Sequence, residues 1–142
     1  MPPIFGRLRS AGKQEMNKSE TNTDTVRSVL DTCGIGYSLK DFGDTVLFFC
    51  RTHEGRRFNI RTDGEAFRIW KYVAMGVSGE MWVKLMELFG DVLTAMPQMK
   101  MELNEDLDVS WYCEAQQSDP QQLGETLKQF TTAVESYWQR LS

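Results

Sequence analysis

Four short stretches of alternating apolar and polar residues constrain this chain most, because a period of two is the pattern of a β-strand. They are Tyr37–Leu39, Val46–Cys50, Phe58–Ile60 and Phe67–Val73. Turn signals that contain glycine separate them, namely Phe42-Gly43-Asp44, His53-Glu54-Gly55 and Asp63-Gly64. Connections this short favour hairpins, so the sequence predicts an antiparallel meander. In Val46–Cys50 both alternating positions are apolar, which predicts a strand covered on both of its faces.

Apolar residues at helical spacing flank the meander, and two more strands follow it. A first helix is predicted over about residues 23–33, because Asn22-Thr23-Asp24 supplies candidate N-cap side chains. The later elements are a helix over about 79–95, strands at Met99–Leu103 and Leu107–Cys113, and a helix from Asp119 to Leu141. The element order α-β-β-β-β-α-β-β-α predicts an α+β fold.

Length and charge limit what the chain can be. Its 142 residues suffice for one domain with a single core, which we assign to residues 21–142. Residues 1–20 lack apolar periodicity and carry a net charge of +2, so they are predicted to form a flexible basic tail. The whole chain has a net charge of -4, which leaves -6 for residues 21–142. A body of that sign does not attract nucleic acid or anionic lipid through its overall field.

The sequence also predicts the compartment. The sequence has no run of about 18 apolar residues, which a membrane span would need, and its N-terminal stretch has no apolar segment of signal-peptide length. The three cysteines are odd in number and widely spaced, which is typical of a reducing environment. We therefore expect a cytoplasmic protein without a disulfide framework.

Residues suited to catalysis or metal binding are few. The only histidine, His53, falls in a predicted turn, and no second histidine could complete a zinc pair. Cys50 and Cys113 occupy apolar strand positions, and core packing is also the preferred interpretation of Cys33. Gly34-Ile35-Gly36 follows a predicted helix, which is the reverse of the order in a phosphate-binding loop. The sequence thus predicts no catalytic, cofactor or metal residue, and a protein that is not an enzyme.

Charged residues are grouped along the chain. Residues 51–71 carry a net charge of +3, whereas residues 102–114 form an acidic block that we interpret as a solvated hairpin. A candidate client-binding face consists of Arg57, Arg61, Arg68, Trp70 and Tyr72. Three interpretations of this face remain, in order of preference: an ordinary solvated sheet face, contact with a protein, and binding of single-stranded nucleic acid.

Methionine is concentrated in one region, since six of the eight lie within residues 75–101. Met-rich faces suit varied partners, and the second predicted helix is apolar around more of its circumference than one contact face needs. A soft core is the alternative explanation. We favour a dimer or partner surface, which would consist of Met81, Trp82, Leu85, Met86, Phe89, Met99 and Met101.

Over about residues 22–142 the chain resembles the YbjN-type family, described as bacterial sensory transduction regulators. The matching segments are Phe58-Asn59-Ile60, Phe67-Arg68-Ile69-Trp70, Met81–Phe89, Asp106-Leu107-Asp108-Val109 and the helix Asp119–Leu141. That family is similar in fold to the small dimeric chaperones of type III secretion. The resemblance implies an antiparallel sheet with helices packed on one face, a homodimer, and binding of other proteins without catalysis.

We therefore predict a non-catalytic protein-binding module, an adaptor or chaperone-like regulator that acts through a dimeric, apolar and Met-rich surface. Its partners would be proteins, including a second copy, and it would need no cofactor. The alternative is a regulator that contacts nucleic acid through the basic strand face at residues 51–71.

Overall fold

A computed structural model describes residues 11–63, 66–116 and 120–138. The helices are α1 (Ala11–Cys33), α2 (Gly79–Ala95) and α3 (Pro120–Trp138). The strands are β1 (Gly36–Asp41), β2 (Val46–Arg51), β3 (Arg57–Thr62), β4 (Ala66–Ala74), β5 (Lys100–Leu103) and β6 (Val109–Gln116). The predicted α+β class and element order are confirmed. Within the described ranges, no helix is long and apolar enough to cross a membrane.

The strands form one antiparallel sheet in the order β1-β2-β3-β4-β6-β5. The first two hairpin turns contain Gly43 and Gly55 with φ of 92° and 86°, a backbone conformation that side chains with a Cβ rarely adopt. After β4 the chain leaves the sheet through α2 and returns as β5. β6 then pairs with both β4 and β5, which joins the second hairpin to the meander.

The helices pack on one face of the sheet, and alternate residues of every long strand point into the core beneath them. One lateral row of this covered face aligns Phe48, Ile60, Ile69 and Cys113, all of them buried. The helices contribute Leu30, Leu85, Leu88, Val92, Leu127 and Phe130. Burial of a large apolar side chain contributes about 1.5–3 kcal/mol, so this row and the helices above it hold the domain together.

The prediction that β2 is covered on both faces is wrong. Phe48 is 0 % exposed, whereas its neighbour Phe49 is 46 % exposed on the opposite side of the strand. Both residues are apolar, but the helices lie on only one side of the sheet. The apolar side chains on the other side of β2 are therefore left at the surface.

The prediction that the first helix starts near residue 23 is also wrong, because α1 begins at Ala11. Residues 11–20, predicted as tail, are helical, and residues 1–10 lie outside the described part of the chain. Alanine, lysine, glutamine and glutamate in this stretch are good helix formers, and proline is missing from it. A helix that is anchored by the buried side chains of Val26 and Leu30 therefore extends toward its N-terminus at little cost.

In the C-terminal half, the predicted start of β6 and the predicted ends of the last helix can be compared with the structure. Leu107, predicted as the first inward residue of a strand, instead lies in the β5–β6 turn with φ 64° and is exposed. The side-chain oxygen of Asn104 accepts the backbone N–H groups of Asp106 and Asp108, which holds this turn closed. Asp119 and Leu141, the predicted ends of the last helix, lie outside the described residues.

Candidate interaction surfaces

The side of the sheet away from the helices is a broad, uncovered surface, which we call the open face. Its middle row crosses all six strands and consists of Ser38, Phe49, Asn59, Trp70, Tyr112 and Lys100. A second row contains Lys40, Leu47, Arg61, Arg68 and Glu114. At the other end of the strands lie Arg51, Arg57, Tyr72, Ser110 and Glu102. Aromatic side chains thus occupy the middle of the open face, and arginines lie at both ends.

The arginines of the open face form two cross-strand pairs of like charge. Arg51 lies directly opposite Arg57, and Arg61 lies directly opposite Arg68. Like charges in this arrangement destabilise a sheet. No described carboxylate lies within 4.0 Å of Arg51 or Arg57, so the first pair has no nearby neutralising group.

The second pair is better supported. The Arg68 guanidinium lies 3.8 Å from a Glu102 carboxylate oxygen, 3.5 Å from Glu114, and 4.3 Å from the centre of the Tyr112 ring. Arg61 has one carboxylate, Asp63, at 3.9 Å. The Nε atoms of both arginines are shielded from solvent and have no hydrogen-bond partner among the described residues.

A shallow hollow of about 660 Å³ lies on the open face beside the Arg51–Arg57 pair. Its walls include Phe49, Asn59 and Tyr72 together with both arginines. Aromatic side chains beside two cations that have no described carboxylate within 4.0 Å suit an apolar side chain next to an anionic group.

All five residues of the predicted client-binding face, Arg57, Arg61, Arg68, Trp70 and Tyr72, lie on the open face. The structure adds Phe49, Asn59 and Tyr112 to them. The sequence identified the strands that carry these three residues. It did not show which strand pairs with which, so Tyr112 of β6 could not be placed beside Trp70 of β4.

The predicted dimer surface is divided by the fold. Leu85 and Met99 are buried in the core, so their assignment to an accessible surface is corrected. Met81, Trp82, Phe89 and Met101 are partly buried and pack against the core. Of the seven residues only Met86 is an exposed large apolar side chain.

The sequence missed three residues that accompany Met86 on the outward side of α2. Val83 is 58 % exposed, Met86 is 48 % exposed, and Leu93 and Gly90 are also at the surface. These four positions recur at steps of three and four residues, which places them on one side of a helix. We call this row, Val83, Met86, Gly90 and Leu93, the outer stripe of α2.

The outer stripe lies opposite the residues that anchor α2, which are Leu85, Leu88 and Val92. The apolar part of α2 is thus wider than the side that faces the core, while Lys84, Glu87 and Asp91 keep the remaining side polar. Packing within the monomer does not explain the glycine at position 90, since a Cβ built on it would meet no atom within 4 Å. Backbone conformation does not explain it either, because its φ is not positive. No close packing against Gly90 is therefore found among the described residues of the monomer.

A group of charged side chains lies where the β2–β3 hairpin meets α3. The Lys71 ammonium donates a hydrogen bond to the carbonyl of Arg57, and burial, then Arg56 and Arg57, lower the pKa of Lys71. Across from it, burial raises the pKa of the Glu135 carboxyl, and the neighbouring Glu54 raises it further. Glu54 and Glu135 thus connect the hairpin to the last helix.

The three cysteines and the histidine lie in different elements of the fold. Cys50 and Cys113 are buried, and burial raises the pKa of each thiol to about 12, which keeps both protonated at neutral pH. Cys33 is free and partly buried, and His53 is exposed in its hairpin turn. No group of three potential metal ligands occurs within the described residues.

Comparison with known proteins found no matching family model, curated protein or solved structure. The resemblance to the YbjN-type family therefore depends on the sequence segments given above and stays a prediction.

Proposed function

We propose that the chain is a non-catalytic protein-binding module, an adaptor or chaperone-like regulator that associates with a second copy of itself. The observation that carries this proposal is the outer stripe of α2. An exposed apolar row on a helix that is already anchored by its opposite side is a recurrent mark of a protein–protein interface.

The composition of the outer stripe supports a helix as the covering element. In the outer stripe, Gly90 lies between Met86 and Leu93 and has no side chain. A small residue at this position allows a second helix to approach closely, and the flanking apolar residues then fill the space on either side. Glycine in a helix interior costs about 1 kcal/mol relative to alanine, so an interface at Gly90 would offset a cost that the monomer does not explain.

A second copy is the simplest occupant, because a two-fold axis beside α2 would cover both outer stripes at once. The YbjN-type resemblance also implies a homodimer. The open face would remain available for a different protein, in agreement with the predicted client-binding face. Three free cysteines, two of them buried, are compatible with the reducing cytoplasm that we propose as its location.

Sedimentation of the full chain at 1–100 µM, on the order of the concentrations where modest interfaces form, tests the proposal. We expect a dimer that the exposed substitution Met86→Glu converts to a monomer with unchanged circular dichroism. The control is Lys128→Glu, which also changes an exposed helical residue but lies on α3. A wild-type chain that stays monomeric throughout this range would exclude self-association through α2.

Nucleic acid is the second candidate ligand, because the open face combines arginines with Trp70, Tyr72 and Tyr112. Aromatic side chains beside cations can stack bases and contact phosphates. This function predicts retention of a single-stranded oligonucleotide at about 50 mM salt and a steep loss of binding as salt rises. Binding that is undetectable at low salt would eliminate it.

A further inference from the structure

We propose that the open face binds an extended, acidic polypeptide segment in which two carboxylates, four residues apart, flank an apolar side chain. The carboxylates would lie over the Arg51–Arg57 pair and the Arg61–Arg68 pair, and the apolar side chain over the middle row. This inference rests on the proposed protein-binding function and specifies the chemistry of the partner.

The charge of the open face favours an anionic partner. Its described strands and the adjoining Asp63 carry six cationic side chains against three carboxylates, in a chain whose net charge is -4. The cations are Lys40, Arg51, Arg57, Arg61, Arg68 and Lys100. Positive charge is thus concentrated on one surface of an acidic protein.

The register of the two arginine pairs indicates an anionic partner more specifically than the net charge does. Arginines on a solvated face need not face each other, yet both pairs are directly opposite in register. The Arg51–Arg57 pair has no carboxylate within 4.0 Å among the described residues. A carboxylate placed between two guanidinium groups would reverse this repulsion, and it would form charge-assisted hydrogen bonds with both.

The spacing of the pairs matches an extended chain. Arg57 and Arg61 lie four residues apart on β3, which is about 13 Å at about 3.3 Å per residue. In an extended segment, residues i, i+2 and i+4 point to the same side at the same spacing. A segment that runs along β3 could therefore place acidic side chains over both pairs.

The middle row selects the residue between the two acids. Asn59 separates Arg57 from Arg61 on β3, and its lateral neighbours are Phe49 and Trp70. Phe49 and Asn59 also line the hollow of about 660 Å³. An apolar side chain at i+2 would cover the exposed ring of Phe49, which contributes affinity without charge.

The same charges argue against two other occupants. A second copy packed face to face would place most of the six cations of one open face near those of the other. Salt limits the attraction between the arginines and phosphates to about one Debye length, which is about 8 Å. A nucleic acid strand that extends beyond the open face would also meet the acidic remainder of the protein. Glu102 and Glu114 lie beside Arg68, so the Arg51–Arg57 pair, with no described carboxylate within 4.0 Å, is the stronger of the two anion sites for any occupant.

Titration of the 142-residue chain into labelled synthetic peptides at about 50 mM salt tests this proposal by fluorescence anisotropy. The probe peptide has seven residues, with glutamate at the second and sixth positions, leucine at the fourth and threonine elsewhere. One control peptide carries lysine in place of both glutamates. The other has the same composition with the two glutamates adjacent.

We expect the probe peptide to bind at least about tenfold more tightly than either control peptide. Arg57→Glu should weaken the probe peptide by about tenfold, because reversal of one charge removes an attraction and adds a repulsion. Arg61→Glu should weaken it less, because Asp63, Glu102 and Glu114 already lie near the Arg61–Arg68 pair. Arg27→Glu, an exposed change on α1, should leave binding unaltered. Circular dichroism of all three variants checks that they are folded.

Equal binding of the three peptides, or equal binding by the Arg57→Glu and Arg27→Glu variants, would overturn the proposal. Binding of an oligothymidylate in place of the probe peptide, with loss in Arg57→Glu, would overturn it in favour of nucleic acid. Because sedimentation measures self-association through α2 independently, a dimer that ignores all peptides would refute this inference alone.

Discussion

Phe48 and Phe49 are adjacent in one strand and identical in chemistry, but they lie on opposite faces of the sheet. Phe48 is 0 % exposed beneath the helices, whereas Phe49 is 46 % exposed on the open face. The covered face contains aliphatic, aromatic and thiol groups, and the open face contains arginines around aromatic rings. One side of the six strands thus carries the core that stabilises the fold, and the other side carries the surface that we propose for recognition.

The largest expected effect comes from the two phenylalanines. Phe48→Ala should lower the free energy of unfolding by about 3–5 kcal/mol, because it removes a fully buried ring and leaves a cavity. Phe49→Ala should lower it by less than about 1 kcal/mol, since much of that ring is already in water. Urea unfolding of both variants measures the difference.

Equal losses for the two variants would mean that a further element covers the open face. In that case the division of the sheet into a covered and an open face would be wrong.

The buried thiols give the next largest effect. The folded protein keeps Cys50 and Cys113 protonated up to a pKa of about 12, whereas an unfolded thiol loses its proton near the ordinary value of 9.0. Stability that is present below pH 9 is therefore lost as the pH rises toward 12. At pH 10.5 each thiol should account for about 2 kcal/mol of the loss.

Unfolding at pH 8 and at pH 10.5 tests this prediction. Cys50→Ala and Cys113→Ala should each reduce the loss of stability between these two pH values, although both variants are less stable at pH 8. Ile60→Val provides a control, because it truncates a buried residue of the same face without removing a titratable group. An identical pH dependence in all four proteins would refute the thiol assignment.

The outer stripe of α2 gives a smaller effect of opposite sign. Gly90→Ala should stabilise the monomer by about 1 kcal/mol, because the new Cβ meets no atom within 4 Å and alanine favours a helix. The same change should weaken self-association, because a methyl group would then stand at the closest approach of the two helices. Thermal unfolding at low concentration and sedimentation at high concentration measure the two effects.

A variant that is both more stable and equally dimeric would show that Gly90 lies outside the interface. The Met86→Glu result would then locate the interface on another part of α2.

The smallest effect concerns the arginine pairs. Arg51→Thr should stabilise the protein by about 0.2–1 kcal/mol at low salt, because it removes a like-charge pair and introduces a residue suited to strands. The gain should shrink as salt screens the remaining charges. A matched substitution, Lys100→Thr, has no like-charged residue directly opposite, since its partner is Tyr112. A similar gain from both substitutions would attribute the effect to strand propensity alone.

Much of the fold followed from local patterns in the sequence. The alternation in Phe58–Ile60 and Phe67–Val73 identified both strands and their inward residues, and glycines identified two of the hairpin turns. The start of α1 was missed because residues 11–20 carry helix-forming residues without apolar periodicity. Leu107 was misassigned because its apolar side chain fits the alternation of β6, although its backbone forms a turn.

The candidate site was predicted less completely. Arg57, Arg61, Arg68, Trp70 and Tyr72 share one side of two adjacent strands, so a period of two was sufficient to group them. Leu85 and Met99 were assigned to a partner surface because an apolar residue can serve a core or an interface equally well. Val83 and Leu93 were left out of that surface, although their spacing from Met86 was visible in the sequence.

The sequence by itself determined the order of the elements, the hairpin turns and the inward positions of β3 and β4, because these depend on residues that are close along the chain. The tertiary structure alone decided which side of β2 is buried, since both of its sides are apolar and only helix packing distinguishes them. It also decided the alignment of Arg51 with Arg57 and of Arg61 with Arg68. Each pair lies on neighbouring strands of a hairpin, and the sequence located these hairpins without fixing their register. A shift of one residue would move every side chain of a strand to the other face, so the alignment of the arginines had to come from the structure.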